Sequence, residues 1–352
     1  LHTLFPYTTL FRSEQLETEE LKNLLQREYG INITSIEKVK SIYRIVSDNK
    51  EFCLKVIEYE FGHFFFILSA IKHLQNSGFS KIPEIIKTKS GSDYIKIGNN
   101  YAYFTPWIKA RQSNYDNPID LNMATKKLAE LHLKSRGFNV TESMNPRIGW
   151  LRWIKTYKTR KNEILDFRNR INKKSKKSKF DCMYLGIMDE ELKRADMAIS
   201  NLIKSNYIEK MKKEILYRGF CHHDYAYHNV LIDDKNCVNI IDFDYCMLDT
   251  HLHDLSSLLI RRMKYGKWDI NNASEIIEIY NNINKVYPDD IPIMAAFMEF
   301  PQDYWQRGIQ YYWEEKPWGE DFFIKKLERY MEDREEKQQF IEEFRNKGIK
   351  GL

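Results

Sequence analysis

Residues Cys221 to Cys246 read CHHDYAYHNVLIDDKNCVNIIDFDYC. Asp224 and Asn229 stand five apart, ahead of a short apolar run, Val230 to Ile232. A polar turn, Asp233 to Asn236, leads into a second apolar run, Val238 to Ile241, which ends in Asp242-Phe243-Asp244. Two apolar strands joined by such a turn predict a β-hairpin. The hairpin brings Asp224, Asn229 and Asp242 close together. In extended chain, residues i and i+2 share a face, so the carboxylates of Asp242 and Asp244 are expected to meet at one point. Magnesium takes hard oxygen ligands, typically one or two carboxylates with phosphate oxygens. Asn229, Asp242 and Asp244 are therefore the candidate metal ligands. Asp224 is the candidate catalytic base, placed to orient a hydroxyl and accept its proton. Phosphoryl transfer needs little beyond positioning and charge neutralisation. A lone Asp before a strand is usually a turn residue, and an isolated D-x-D is common. The combination of D-x-x-x-x-N, a hairpin and D-F-D points to a phosphotransferase site.

Working outward, Glu51 to Ile57 reads as a strand with Phe52, Leu54 and Val56 on one face and Cys53, Lys55 and Ile57 on the other. Lys55 thus lies on a mostly apolar face. A buried ammonium without an anion is costly, and ATP phosphates are the expected partner, as for the strand lysine of kinases. The competing reading is an ammonium that reaches back to solvent.

Leu16 to Tyr29 predicts a helix stopped by Gly30. Ser41 to Ser47 and Glu51 to Ile57 predict a strand pair turning at Asp48-Asn49-Lys50, and Phe61 to Gln75 an apolar helix. Tyr94 to Ile97 and Tyr101 to Thr105 predict a second strand pair. Asp120 is expected to cap a helix carrying Leu121, Ala124, Leu128 and Leu131. Beyond it the chain reads as helix except for the hairpin region. The expected organisation is a leader at 1–13, a small lobe at 14–104, a connector at 105–112 and a helical lobe at 113–352 that contains the hairpin at 219–245. The leader, LHTLFPYTTLFRS, lacks the basic start and small-residue cleavage site of a signal peptide. It resembles a translated sequencing adapter and is expected to be non-native or disordered.

The five cysteines, Cys53, Cys182, Cys221, Cys237 and Cys246, form no C-x-x-C pair. This argues against a zinc site or disulfide framework and for a reducing compartment. The longest apolar run, Phe64 to Ile71, is too short to span a bilayer. A net charge of +5 is too small to imply nucleic acid. Arg152 to Lys179 carries 12 Lys/Arg against Glu163 and Asp166. It reads either as a solvated helix and loop or as a surface for an anionic partner.

The residues HHDYAYHNVLIDD, VNIIDFDYCMLDTHLHDLSSLLIRRMKYGKW, FTPWIKARQ, LAELH and EFPQDYW resemble the aminoglycoside and choline kinases, and among them the CotS-type spore coat proteins. The resemblance spans about residues 36–313 and is specific over 222–268. It implies an α+β, bilobal protein-kinase-like fold: a small N-lobe of antiparallel sheet plus helix, and a larger, mostly helical C-lobe. It implies ATP and Mg2+ as cofactors, with Asp224 as base, Asn229 and Asp242 as magnesium ligands and Lys55 on the phosphates. His222 would brace the catalytic loop. Asp254, opening a helix at Asp254-Leu255, would be a structural Asp near that loop or an ordinary N-cap.

Three features depart from the pattern. Glu37 to Val46 has no glycine, Phe61 to Gly78 has no glutamate to pair with Lys55, and His223 stands where many aminoglycoside kinases have glycine. No longer activation segment ending in A-P-E follows Asp242, which favours a small-molecule kinase over a protein kinase. Two functions follow as expectations. The first is ATP/Mg-dependent phosphoryl transfer to a hydroxyl of an unknown acceptor, its pocket shaped by Arg152 to Lys179 and by the aromatics of Phe300 to Phe323, which also read as helical core. The second is a kinase-like coat scaffold with little turnover, docking other coat proteins through Trp150, Trp153 and the basic stretch. The expected location is the mother-cell cytoplasm, with assembly into the spore coat. Neither a membrane span nor a nucleic-acid partner is expected.

Overall fold

A computed structural model describes residues 18–348. The leader expected at 1–13 lies outside them. Two compact units emerge, one formed by 18–147 with 218–248, the other by 148–217 with 249–348.

In the first unit, α1 (Thr18–Tyr29) precedes the strands β1 (Ile33–Val39), β2 (Ile42–Ser47) and β3 (Lys50–Ile57), followed by α2 (Phe61–Asn76), β4 (Ile95–Ile97) and β5 (Asn100–Pro106). The five strands form an antiparallel sheet in the order β1-β2-β3-β5-β4. The β2–β3 turn is Asp48-Asn49, with φ of 47° and 65°. Two left-handed residues make the tight turn whose twist suits a hairpin, and Asp and Asn tolerate that conformation. Leu21 and Leu25 of α1 pack with Ile33, Ile45, Leu54, Ala102 and Phe104 of the sheet. The apolar run Phe64 to Ile71 lies in α2 and is largely buried. Among the described residues no helix is long and apolar enough to cross a membrane.

The connector expected at 105–112 lies inside this unit, and its last three residues are a strand, β6 (Ala110–Gln112). With β7 (Val230–Asp233) and β8 (Val238–Ile240) it forms a second antiparallel sheet in the order β6-β7-β8. Arg111 of β6 makes two hydrogen bonds, 2.6 and 2.8 Å, to the Asp120 carboxylate on α3 (Pro118–Lys134). Asp120 is not the cap that the sequence suggested. Asn117 caps α3 by accepting from the Ile119 and Asp120 amides, and Pro118 fills the first helical position.

The second unit is helical: α4 (Trp153–Asn172), α5 (Lys179–Lys204), α6 (Tyr207–Tyr217), α7 (Leu252–Met263), α8 (Ile270–Asn281), α9 (Asp290–Glu299), α10 (Gln302–Gly308), a π-helical turn at Ile309–Trp313, and α11 (Glu320–Lys347). The antiparallel sheet with its helices and the mostly helical remainder bear out the expected α+β class. Of the late aromatics, Phe300, Tyr304, Tyr312 and Phe323 are core. Tyr184 and Tyr304 stack with centroids 4.1 Å apart, and each hydroxyl donates to the other residue's carbonyl. Gly308 leaves the space for this: a Cβ there would lie 2.4 Å from the Tyr184 hydroxyl and 2.5 Å from the Phe167 ring.

Two expectations change here. Trp153 is core rather than contact surface: it stacks on Tyr207 and its indole N–H donates to Asp249 at 2.9 Å. Burial pushes the Asp249 carboxyl up to about 6, against the opposing pull of His253 and that indole. Asp254 does not open its helix. It is fully buried within the first turn of α7, and His251 holds the cap position.

Candidate active site

The site is built on β3, on the loop before β7 and on the turn after β8, all in the first unit. The loop is pinned at its start, where Cys221 and Met247 exchange two backbone hydrogen bonds, 2.9 and 3.2 Å. Next comes His222, fully buried. Its Nε2 lies 2.9 Å from the Ile241 carbonyl, and its Nδ1 lies 3.3 Å from the Asp224 amide. The amide can only donate and the carbonyl only accept, so the ring is the tautomer protonated at Nε2. His222 thereby ties the loop to the end of the second hairpin strand.

Asp224 and Asn229 are brought together. The Asn229 amide nitrogen donates to the Asp224 carbonyl at 2.9 Å and to its carboxylate at 3.1 Å. Two acceptors on one side fix which end of the amide carries nitrogen. The remaining oxygen, Oδ1, is a hard donor. Asn229 closes a short 3-10 turn, Tyr227–Asn229, and its carbonyl accepts from the Ile241 amide at 3.0 Å. The backbones of residue 229 and of the residue before Asp242 are therefore in contact.

Asp242 and Asp244 also converge, though not by strand alternation. β8 ends at Ile240, and Asp242 has φ of 65°, in the left-handed region. A turn, not an extended chain, aims the pair. Both carboxylates meet the Lys55 ammonium, at 3.2 Å for Asp242 and 2.9 Å for Asp244. Lys55 is 6% exposed on β3, opposite Tyr103 of β5. It does not reach back to solvent, and its anions are these two aspartates. Burial alone would lower the Lys55 pKa, but Asp244 and then Asp242 outweigh it, so the ammonium is held charged. Burial pushes the Asp244 carboxyl up to about 6, Asp242 adds to the rise, and Lys55 opposes it. The other oxygen of Asp244, Oδ1, is buried with no hydrogen-bond partner.

This donor set fits a divalent cation. Two carboxylates already share one cationic atom, one of them keeps a buried oxygen in need of a positive partner, and an oriented amide oxygen belongs to the adjoining loop. The residues that would hold magnesium are Asn229, Asp242 and Asp244.

The departures noted in the sequence acquire a structural meaning. The β1–β2 connection is a two-residue turn, Lys40-Ser41, with Lys40 at φ of 54°. α2 carries no glutamate, and its first turn instead buries His63, whose Nδ1 is 3.3 Å from the Asn145 carbonyl. Burial, and then Arg147, lowers the His63 pKa, so the ring is held neutral. His223 has φ of 68°, a conformation that glycine adopts without steric cost. Arg147 was not singled out from the sequence. Its guanidinium lies 5.0 Å from the Tyr59 ring and 5.4 Å from the Tyr245 ring, and donates to the Asp244 carbonyl at 3.4 Å. Its partners Tyr59 and Tyr245 lie 88 and 98 residues from it in sequence, so no local signal marks it.

Solved structures share this fold. An aminoglycoside phosphotransferase from Alicyclobacillus acidocaldarius is 20% identical with a TM-score of 0.78, over 91% of this chain and 94% of that one. A spectinomycin phosphotransferase solved with ADP and spectinomycin is 17% identical with a TM-score of 0.65, over 93% and 98%. A choline kinase from Cryptosporidium parvum is 13% identical with a TM-score of 0.61, over 95% and 98%. These likenesses show that the chain has the kinase-like fold of those phosphotransferases and choline kinases, as the sequence led one to expect. Residues 22–344 match the family described as "Spore coat putative kinase YutH", and the chain belongs to that family.

Proposed function

We propose that the chain is a phosphotransferase that uses ATP and magnesium to phosphorylate a hydroxyl group. The observation that carries this reading is the convergence of buried Lys55 on Asp242 and Asp244, beside the loop in which Asn229 grips Asp224. Lys55 would bind phosphate oxygens of the nucleotide. Asn229, Asp242 and Asp244 would hold magnesium, which when bound neutralises charge on the phosphates. Asp224 would take the proton of the acceptor hydroxyl as its oxygen attacks the γ-phosphorus. The bond from that phosphorus to the bridging oxygen breaks, ADP leaves, and the proton stays on Asp224. His222 keeps the loop in place through Ile241. The division into a nucleotide-binding lobe at 14–104, a connector at 105–112 and a helical lobe at 113–352 belongs to the same proposal. So do a place in the mother-cell cytoplasm, assembly into the spore coat, and contact with other coat proteins through the basic stretch.

The test is ADP release from ATP and magnesium across a panel of hydroxylated amines and amino sugars. Wild type should release ADP with at least one acceptor, and Asp224→Asn should lose turnover while keeping nucleotide binding. Equal turnover in Asp224→Asn would reject the assigned base. A second reading, a nucleotide-binding coat scaffold with little turnover, is favoured by the glycine-free turn at Lys40-Ser41. It predicts nucleotide binding without ADP release on any acceptor.

A further inference from the structure

The Lys55 ammonium occupies the point where the two carboxylates meet, 3.2 Å from Asp242 and 2.9 Å from Asp244. Its side chain is 8% exposed, so it must keep an anion nearby. α2 supplies none, because Phe61–Asn76 contains neither Asp nor Glu, and Glu60 just before it is exposed. The dependence is mutual. Asp242 and Asp244 lie side by side, and one positive charge serves both, with Asp244 Oδ1 still buried and unpaired. A divalent ion that approaches alone meets a tethered competitor, which acts at high effective concentration, and is repelled by its charge. A phosphate that approaches alone must draw Lys55 away and leave two carboxylates facing each other unneutralised.

We infer that Lys55 is a built-in counter-cation of Asp242 and Asp244, exchanged for a divalent ion only when nucleotide phosphates draw the ammonium away, so that nucleotide and ion are taken up together and each only weakly alone. This rests on the phosphotransfer reading of the same site. When both ligands arrive, every charge finds a partner: phosphate on Lys55, ion on Asp242 and Asp244. The coupling is reciprocal, so each ligand should tighten the other by the same factor, of the size usual for linked sites, about 5–150-fold.

The experiment counts free Mn2+ by its electron paramagnetic resonance signal while the full chain is titrated without nucleotide. Wild type should hold Mn2+ weakly. Lys55→Met, which removes the competitor, should hold it at least about tenfold more tightly, within the coupling range expected. Its melting temperature, lowered without metal, should recover on adding Mn2+. Lys55→Arg keeps a cation between the carboxylates and decides the matter should the Met variant not fold. Its Mn2+ affinity should stay within about threefold of wild type, well inside the expected coupling. Equal Mn2+ affinity in wild type and Lys55→Met, or a tenfold gain in Lys55→Arg, would overturn the inference. Calorimetry of wild type with ADP and magnesium separates the two levels. Uptake of that pair alongside equal Mn2+ affinities sinks only the exchange, whereas no uptake of the pair sinks the phosphotransfer reading beneath it.

Discussion

His222 satisfies two backbone groups at once, the Ile241 carbonyl and the Asp224 amide, from a fully buried position. Removing the ring leaves both part-buried groups without this partner, and such losses cost up to about 1–3 kcal/mol. His222→Ala should therefore lower the unfolding free energy by about that amount in urea titrations, and should lower turnover too, because the loop carrying Asp224 loses its brace. Asp224→Asn should behave differently, with little change in stability and a loss of turnover of about 10²–10⁴-fold, the usual worth of a positioned base. A His222→Ala protein with unchanged stability would show that the ring braces nothing. At this scale much was legible in the sequence. Asp224 and Asn229 are near one another in the chain and meet, and the hairpin brings Ile241, next to Asp242, against the backbone of Asn229. The counter-ions of Lys55 were not legible, because Asp242 lies 187 residues away and the meeting depends on how the sheet and the hairpin pack.

Among the elements, β2 to β5, the hairpin strands and their turns followed the local signals closely, whereas β1, β6 and the helix caps did not. Asp120 looked like a cap because it precedes an apolar periodicity. Asn117-Pro118 is the stronger start signal, and the Asp120 carboxylate is claimed by Arg111, a contact that only the β6–β7 pairing creates. β6 itself is three residues long, too short to show a period of two. In the helical unit, Gly308 is required by contact rather than by backbone conformation. Gly308→Ala should destabilise by about 1–3 kcal/mol, as overpacking does, measured by urea unfolding, and wild-type stability in that variant would contradict the Tyr184–Tyr304 packing. The link between α6 and α9 is electrostatic. Lys210 lies 2.9 Å from Asp290 and 3.4 Å from Glu214, whose other oxygen is 3.1 Å from His251. Burial would raise the Glu214 pKa, but His251 and Lys210 outweigh it and hold the carboxyl at about 2, against an ordinary 4.5. A folded pKa below the unfolded one means that the stabilisation is complete above the ordinary value and is lost as pH falls from about 4.5 toward 2. Urea unfolding between pH 6 and 3, values that span the upper part of this window, should show wild type losing stability and Glu214→Gln losing markedly less.

For the whole molecule, the order of sheet, hairpin and helices was readable because apolar periodicity marks the longer elements, whereas β1 and β6 carry no such mark that was read. The family match over residues 22–344 and the shared fold agree with that reading. What composition could not reveal is how the long-range packing distributes aromatics: Trp153 looked available for contacts and is core. In the proposed function, nucleotide binds through magnesium held by the aspartate pair. Thermal unfolding of wild type and of Asp242→Ala, each with and without ATP and magnesium, tests it most directly. A ligand at one hundred times its dissociation constant stabilises by about 2.7 kcal/mol when it binds only the folded state. Wild type should therefore melt higher with ATP and magnesium together, and Asp242→Ala should lose that rise. A wild-type melting temperature unmoved by ATP and magnesium would contradict the account.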